Sequence, residues 1–317
     1  MQNLIEGLND KQKEAVLATE GPCLVIAGAG SGKTKVLTHK IAYLISEKNV
    51  KPYNILAITF TNKAASEMKQ RVEKIVGDVA QEMWMGTFHS ICVRILRRFI
   101  DRIGFDTSFL IFDTSDQKTV VKECLKALNI DDKAFSDRSV LSEISNAKNE
   151  MLTPKAYQAK YAGEFRKEKI GQVYELYQKR LRENNAIDFD DIINYTIDIL
   201  SENPDVLQYY TEKFKYVLVD EYQDTNKAQF TLVTILASRY GNITVVGDND
   251  QGIYSFRGAD ISNILNFEKD FPGTKIIKLE QNYRCTGNIL KAANAVIKHN
   301  ENKYEKKLWT ENEEGSL

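Results

Sequence analysis

The sequence predicts an α/β fold with a parallel sheet covered on both faces and interrupted by an all-helical insertion. Short apolar runs alternate with helix-length amphipathic segments, the pattern of strands buried by helices on either side. A glycine-rich loop joins the first apolar run to the first long helical segment. Between about Thr114 and Phe214 no convincing buried strand is readable, only helical periodicity.

Taken in order, Cys23-Leu24-Val25-Ile26 is the first buried-strand run, and the segment from Lys33 to Glu47 is its helix. Ile55 to Thr59 repeats the pattern and leads into a helix from Asn62 to Val76. Further strands are expected at Met83 to Gly86, Tyr216 to Val219, Ile243 to Val246 and Lys275 to Leu279. In the helical block, Thr114-Ser115-Asp116-Gln117 reads as a capping box. Ser139 to Asn149 and Lys169 to Asn184 are amphipathic helices.

Composition narrows the class. At about 150 residues per domain, the length suggests about two domains. With 43 Lys+Arg against 44 Asp+Glu the net charge is −1, so the whole chain is not a basic nucleic-acid binder. The 43% hydrophobic and 27% charged residues exclude a disordered chain. Charge is uneven, however. Residues 133–182 hold eleven Lys/Arg and six Asp/Glu, which suits either a solvated helical surface or a footprint for a phosphate backbone. No run of apolar residues is long enough to span a membrane, and the first ten residues lack a signal-peptide pattern. Cys23, Cys92, Cys124 and Cys285 are widely spaced and only three histidines occur. That disfavours disulfides or zinc and points to a reducing cytoplasm.

Two motifs carry chemistry. Ala27-Gly28-Ala29-Gly30-Ser31-Gly32-Lys33-Thr34 follows a strand and opens a helix, the context of a phosphate-binding P-loop. Its backbone N–H groups and the helix N-terminus favour phosphate, Lys33 reaches the β- and γ-phosphates, and Thr34 ligates magnesium. Ala27 stands where the strict pattern has glycine, and Lys35 closes the segment. Tyr216 to Val219 is an apolar strand ending in Asp220-Glu221. Asp220 suits the magnesium position, and Glu221 can orient or deprotonate an attacking water, which implies hydrolysis.

These segments occur in order with Gln12, Thr59-Phe60-Thr61-Asn62-Lys63-Ala64-Ala65, Thr87-Phe88-His89-Ser90, Asp220-Glu221-Tyr222-Gln223-Asp224-Thr225-Asn226, Gly247-Asp248-Asn249-Asp250-Gln251 and Gln281-Asn282-Tyr283-Arg284. Together they resemble the N-terminal half of superfamily-one DNA helicases of the PcrA/UvrD/Rep group, over essentially the whole chain. The resemblance implies a RecA-like P-loop NTPase core at 1–107 and 188–280, a DNA-facing helical insertion at 108–187, and the start of a truncated second RecA-like core at 281–317. It implies ATP and Mg2+ as cofactors. Gln12 and Tyr283 would recognise adenine by its edge and face. Gln251 would sense the γ-phosphate and Arg284 would act as an arginine finger.

On the DNA side the resemblance implies stacking on Phe60, Tyr254 and Phe256, with Thr59, Asn62, Thr87, His89 and Arg257 near phosphate or sugar. Gly252, Phe256 and Cys285 depart from the family pattern, where Ser, Trp and Ser are usual. Phe256 offers a smaller stacking face, and Gly252 would add freedom to the loop between γ-phosphate and DNA. The expected activity is 3′–5′ translocation on single-stranded DNA and duplex unwinding, in repair or replication. Expected partners are single-stranded DNA, single/double-strand junctions, the remaining half of the same protein, and repair, transcription or replication-initiator proteins. The alternatives are the ATPase subunit of a helicase–nuclease and a non-catalytic ATP- or DNA-binding module. By itself the 317-residue piece is expected to bind nucleotide and DNA weakly and to unwind nothing.

Overall fold

The computed structural model describes residues 4–255, 258–300 and 304–316. Its strands are β1 (Cys23–Ala27), β2 (Ile55–Thr59), β3 (Trp84–Thr87), β4 (Leu110–Ile111), β5 (Ala186–Ile187), β6 (Tyr216–Val219), β7 (Ile243–Gly247) and β8 (Lys275–Leu279). The helices used below are α1 (Asp10–Leu17), α2 (Lys33–Ser46), α3 (Asn62–Val76), α4 (Phe88–Phe99), α5 (Thr114–Ala127), α6 (Asp137–Asn149), α7 (Pro154–Lys160), α8 (Phe165–Glu183) and α9 (Phe189–Glu202). The chain divides into two compact units, one of residues 1–88, 208–225 and 233–317, the other of residues 89–207 and 226–232.

The first unit is built on a six-stranded, all-parallel sheet in the order β3-β2-β6-β7-β1-β8. Strands β1, β2 and β7 are buried along their whole length, which explains their unbroken apolar sequence rather than an alternating one. Val25, Ala57, Leu218 and Val246 meet Val36, Leu37 and Ile41 of α2 and Met68 and Val72 of α3 in one apolar core. Because the strands are parallel, every loop that follows a strand leaves from the same edge, where parallel α/β sheets bind their ligands. The expected α/β class with a parallel central sheet is therefore the observed one, and it is consistent with a RecA-like P-loop core.

The second unit is helical. Val121, Cys124, Val140, Ile144, Val173, Tyr177 and Leu181 form a separate core from α5, α6 and α8. Two sequence expectations need correction here. The capping box of α5 is Asp113 with Asp116, one residue before the expected start: Asp113 accepts from the N–H groups of Ser115 and Asp116, and Asp116 accepts from the N–H of Asp113. The block also holds a strand, since Ala186-Ile187 pairs in parallel with Leu110-Ile111. Two residues show no period, and the partner is remote in sequence, so local pattern cannot reveal it.

Lys148 is buried in this unit, and its ammonium lies 2.5 Å from Asp188 and 2.8 Å from Asp191. Burial opposes its charge, but the two carboxylates hold its proton far more tightly than usual. Burial and the charge of Asp188 push Asp191 up to about 7. Among the described residues no helix is long and apolar enough to cross a membrane.

Candidate active site

Residues 28–32 turn between β1 and α2 with φ +71° at Gly30 and +88° at Gly32, values that a Cβ disfavours. Space excludes a side chain as well. A Cβ on Gly30 would lie 2.7 Å from Asn282 Nδ2 and 2.8 Å from Arg284 Cβ, and one on Gly32 would lie 2.7 Å from Gln12 Nε2. Ser31 closes the loop internally, its hydroxyl donating to the Gly28 carbonyl at 2.7 Å. Ala27 is the buried last residue of β1. Thr34 is partly buried in the first turn of α2, while the exposed Lys35 donates to the Gly7 carbonyl, away from the loop.

Lys33 crosses to the adjacent acidic turn, where its ammonium meets Glu221 Oε2 at 2.7 Å. Gln223 Nε2 donates to the same oxygen at 3.0 Å. Glu221 adopts φ 49°, ψ 42°, a left-handed conformation costing about 1–2 kcal/mol for a residue with a Cβ. Strain of that kind gathers at functional turns. Asp220 beside it is buried. Burial, and then the Glu221 charge, push its carboxyl up to about 6, with Lys33 opposing. Burial and Glu221 also push Asp224 up to about 6. Three carboxylates face one ammonium, an imbalance that favours a cation.

Gln12 is buried on α1, with Nε2 donating to the Ser31 carbonyl at 2.9 Å and Oε1 accepting from the Asn9 N–H. One amide N–H and one lone pair remain. The Tyr283 N–H donates to the Gly30 carbonyl and its hydroxyl accepts from Asn9 Nδ2, so Gln12, Tyr283 and the glycine loop meet in one place. Asn282 pins them: its Nδ2 donates to the Ala29 carbonyl, and its Oδ1 accepts from the N–H groups of Arg284 and Cys285. Arg284 is exposed beside Gly30. Gln251 lies after β7 and donates from Nε2 to Asp248 Oδ2.

Motif readings had assigned no role to Asn9, Gln223, Asp248 or Asn282. Asn9 is visible in sequence as the first residue of Asn-x-x-Gln, a capping signal. Each of the other three also has a partner far away along the chain: Gln223 accepts from the Asp248 N–H, Asp248 pairs with Lys306, and Asn282 reaches the Ala29 carbonyl.

The residues expected on the nucleic-acid side are less uniform. Thr59 and Thr87 pair in register as the last residues of β2 and β3, and both are buried. The Phe60 ring sits edge-on against buried Phe88 at 5.5 Å, so part of its surface belongs to the core. Asn62 is exposed at the start of α3, which Thr61 caps, and Tyr254 is partly exposed. His89, in the helical unit, packs edge-on against Phe189 at 5.7 Å. Burial lowers its affinity for a proton, against a hydrogen bond with the Phe189 backbone that raises it. Phe256 and Arg257 lie outside the described residues. The backbone at Gly252 is not left-handed, and Ile261 Cδ1 would lie 2.7 Å from a Cβ there, so the glycine makes room for Ile261 rather than supplying a special conformation.

Comparison with known proteins adds to this geometry. The family model described as the UvrD/REP helicase N-terminal domain matches residues 8–272, and that described as the UvrD-like helicase C-terminal domain matches residues 277–317. The chain is 58% identical to the ATP-dependent DNA helicase PcrA of Staphylococcus epidermidis (strain ATCC 35984) over 315 residues, which is 99% of this chain and 43% of that protein. It is likewise 58% identical to PcrA of Bacillus subtilis (strain 168) over 312 residues, 98% of this chain and 42% of that protein. The chain thus spans less than half the length of these relatives. With the greater part of its residues matched to the first model, the chain belongs to the UvrD/REP helicase family.

Proposed function

We propose that this chain is the ATP-hydrolysing part of a DNA helicase, which couples hydrolysis to 3′–5′ movement on single-stranded DNA and to unwinding. The observation that carries the reading is the convergence of Lys33, Glu221 and the Gln223–Asp248–Gln251 turn at the sheet edge where the glycine loop opens. Lys33 exchanges Glu221 for the β- and γ-phosphates when ATP enters. Glu221, released, accepts a proton from the water that attacks the γ-phosphorus, and the bond from phosphorus to the β,γ-bridging oxygen breaks. Arg284 stabilises charge on the transferred group, and Gln251 registers its presence. Gln12 and Tyr283 hold the adenine.

The hydroxyl of Thr34 and the carboxylate of Asp220 are hard oxygen donors beside a surplus of negative charge, which fits Mg2+. Such an ion needs only one or two protein ligands besides phosphate oxygens. Thr34 and Asp220 would hold the ion, which would supply positive charge to offset that of the phosphates. Thr59, Phe60, Asn62, Thr87, His89 and Tyr254, with Phe256 and Arg257, are proposed to contact DNA. The segment 108–187 is proposed to face DNA as an insertion between the two parts of the core, 1–107 and 188–280, and 281–317 is proposed to begin a second core. A cytoplasmic location, the remaining half of the same protein, and repair, transcription or replication-initiator proteins as partners belong to the same reading.

The test is ATP hydrolysis by the 317-residue chain and by a longer natural form, each with and without single-stranded DNA. Lys33→Ala should lose nucleotide binding. Glu221→Gln should keep binding and lose hydrolysis by about 100-fold or more, the usual range for a general base. Equal hydrolysis by wild type and Glu221→Gln would remove Glu221 from the role of base, and absence of DNA stimulation in both forms would remove the motor.

A further inference from the structure

The turn that carries Gln251 is clamped by a lysine outside every motif. Lys306 Nζ lies 2.7 Å from Asp248 Oδ1 and 3.1 Å from Asn249 Oδ1, and it also pairs with Asp250. The side chains of Lys306, Asp248 and Asp250 are 3%, 4% and 8% exposed. An ammonium has three N–H donors, and three consecutive residues of one turn take them all. Removing the lysine would take the ammonium away from two carboxylates whose side chains are almost closed to water.

The clamp ends an unbroken chain of hydrogen bonds. Lys33 and Gln223 share Glu221 Oε2, Gln223 Oε1 accepts from the Asp248 N–H at 3.0 Å, and Asp248 then holds Gln251 with one oxygen and Lys306 with the other. Lys306 also belongs to a strap, residues 304–310, that returns across the glycine loop. The Trp309 N–H donates to the Glu280 carbonyl, its own carbonyl accepts from the Asn282 N–H, and Leu308 methyls occupy the space beside Gly28. One strap therefore touches the phosphate loop at Gly28 and the Gln251 turn at Asp248, and its hydrogen bonds run to the segment leading into Tyr283 and Arg284.

We propose that Lys306 is a positioning residue for γ-phosphate recognition, which sets Asp248 so that Gln251 can discriminate ATP from ADP and which makes the strap move with that turn. The inference rests on the ATP-site reading above. A rearrangement at the Lys33–Glu221 pair reaches Asp248 through Gln223, and only a charged, fully engaged group at Lys306 passes it on as a shift of the strap rather than as slack.

Calorimetric titration of the 317-residue chain with ADP and with adenosine imidotriphosphate, both with magnesium, tests it. Wild type should prefer the triphosphate. Lys306→Met should leave ADP affinity within about twofold and reduce the preference by about fivefold or more, the lower end of ordinary site coupling. Asp250→Asn, which keeps the Asp248 contact, should reduce the preference less, and it serves if Lys306→Met fails to fold. Gln251→Ala should lose the same preference, and Lys306→Met should add nothing to it, because the two act in one relay. Unchanged preference in Lys306→Met, equal weakening of both nucleotides, or additive losses would overturn the proposal and leave the ATP site standing. Wild type that binds both nucleotides equally would do the same. Wild type that binds neither would overturn the ATP-site reading itself.

Discussion

Glu221 and Lys33 show how a single residue can be legible in kind but not in state. An apolar strand followed by two carboxylates marks Glu221 as a candidate base, and the strand–loop–helix context marks Lys33 as a phosphate ligand. That they hold each other at 2.7 Å, with Glu221 in a left-handed conformation, depends on two strand ends brought near each other although the two residues are 188 positions apart. His89 is the converse case. Its motif suggests a contact with nucleic acid, but burial favours the neutral imidazole, so it can offer a hydrogen bond and little charge. Its folded-state pKa lies below the ordinary 6.5, so the unfolded chain binds the proton more readily. Stability should therefore be intact above about 6.5 and fall as pH drops below it, down to the lowered native value. Thermal melts of wild type and His89→Gln between pH 7.5 and pH 5.5 should show a weaker dependence in the variant. Identical slopes would mean that His89 titrates as it does in water.

At the scale of elements, β1, β2 and β7 fall at or within one residue of where the apolar runs put them, because strands buried on both faces need no partner-specific pattern. Helix α3 begins at Asn62 as expected, behind the cap Thr61, whereas α1 and its cap Asn9 were not read from the sequence. The tie between α1 and α2 was not legible either. Lys40 is fully buried and donates to the carbonyls of Ala15, at 3.2 Å, and Ala18, at the C-terminal end of the helix that carries Gln12. Burial makes its charge costly and lowers its pKa. A lysine on an apolar helix face reads as a solvated residue until its acceptors are known. Lys40→Met should leave those carbonyls unsatisfied and cost about 1–3 kcal/mol by chemical denaturation. By loosening α1 it should also weaken ATP binding several-fold while sparing inorganic tripolyphosphate, which has no adenine for Gln12. Parallel losses for both ligands would show that Lys40 supports the phosphate loop instead.

For the whole molecule, two separate apolar cores imply two units that can lose structure separately. Removing Lys148 strands Asp188 and Asp191 in the helical core, a loss of the kind that costs about 3–5 kcal/mol. Lys148→Met should therefore lower the melting temperature of the helical unit in calorimetry. ADP binding by the sheet-based unit, measured well below that transition, should remain within about twofold of wild type, since mutations in distant, independent sites do not couple. Loss of both together would mean that the chain unfolds as one cooperative body.

The sequence by itself determined the α/β class, the parallel sheet, the glycine loop and the acidic strand end, and hence the family. Each is written locally, in runs of five to eight residues whose chemistry is read without knowing what lies across the fold. Tertiary structure alone decided the rest. Lys306 meets Asp248 across 58 positions of chain, Asn282 reaches Ala29 across 253, and Ala186-Ile187 becomes a strand only because Leu110-Ile111 lies beside it. A buried charge or a two-residue strand is stable only when its partner is present, and the choice of partner is made by packing, which no local pattern encodes.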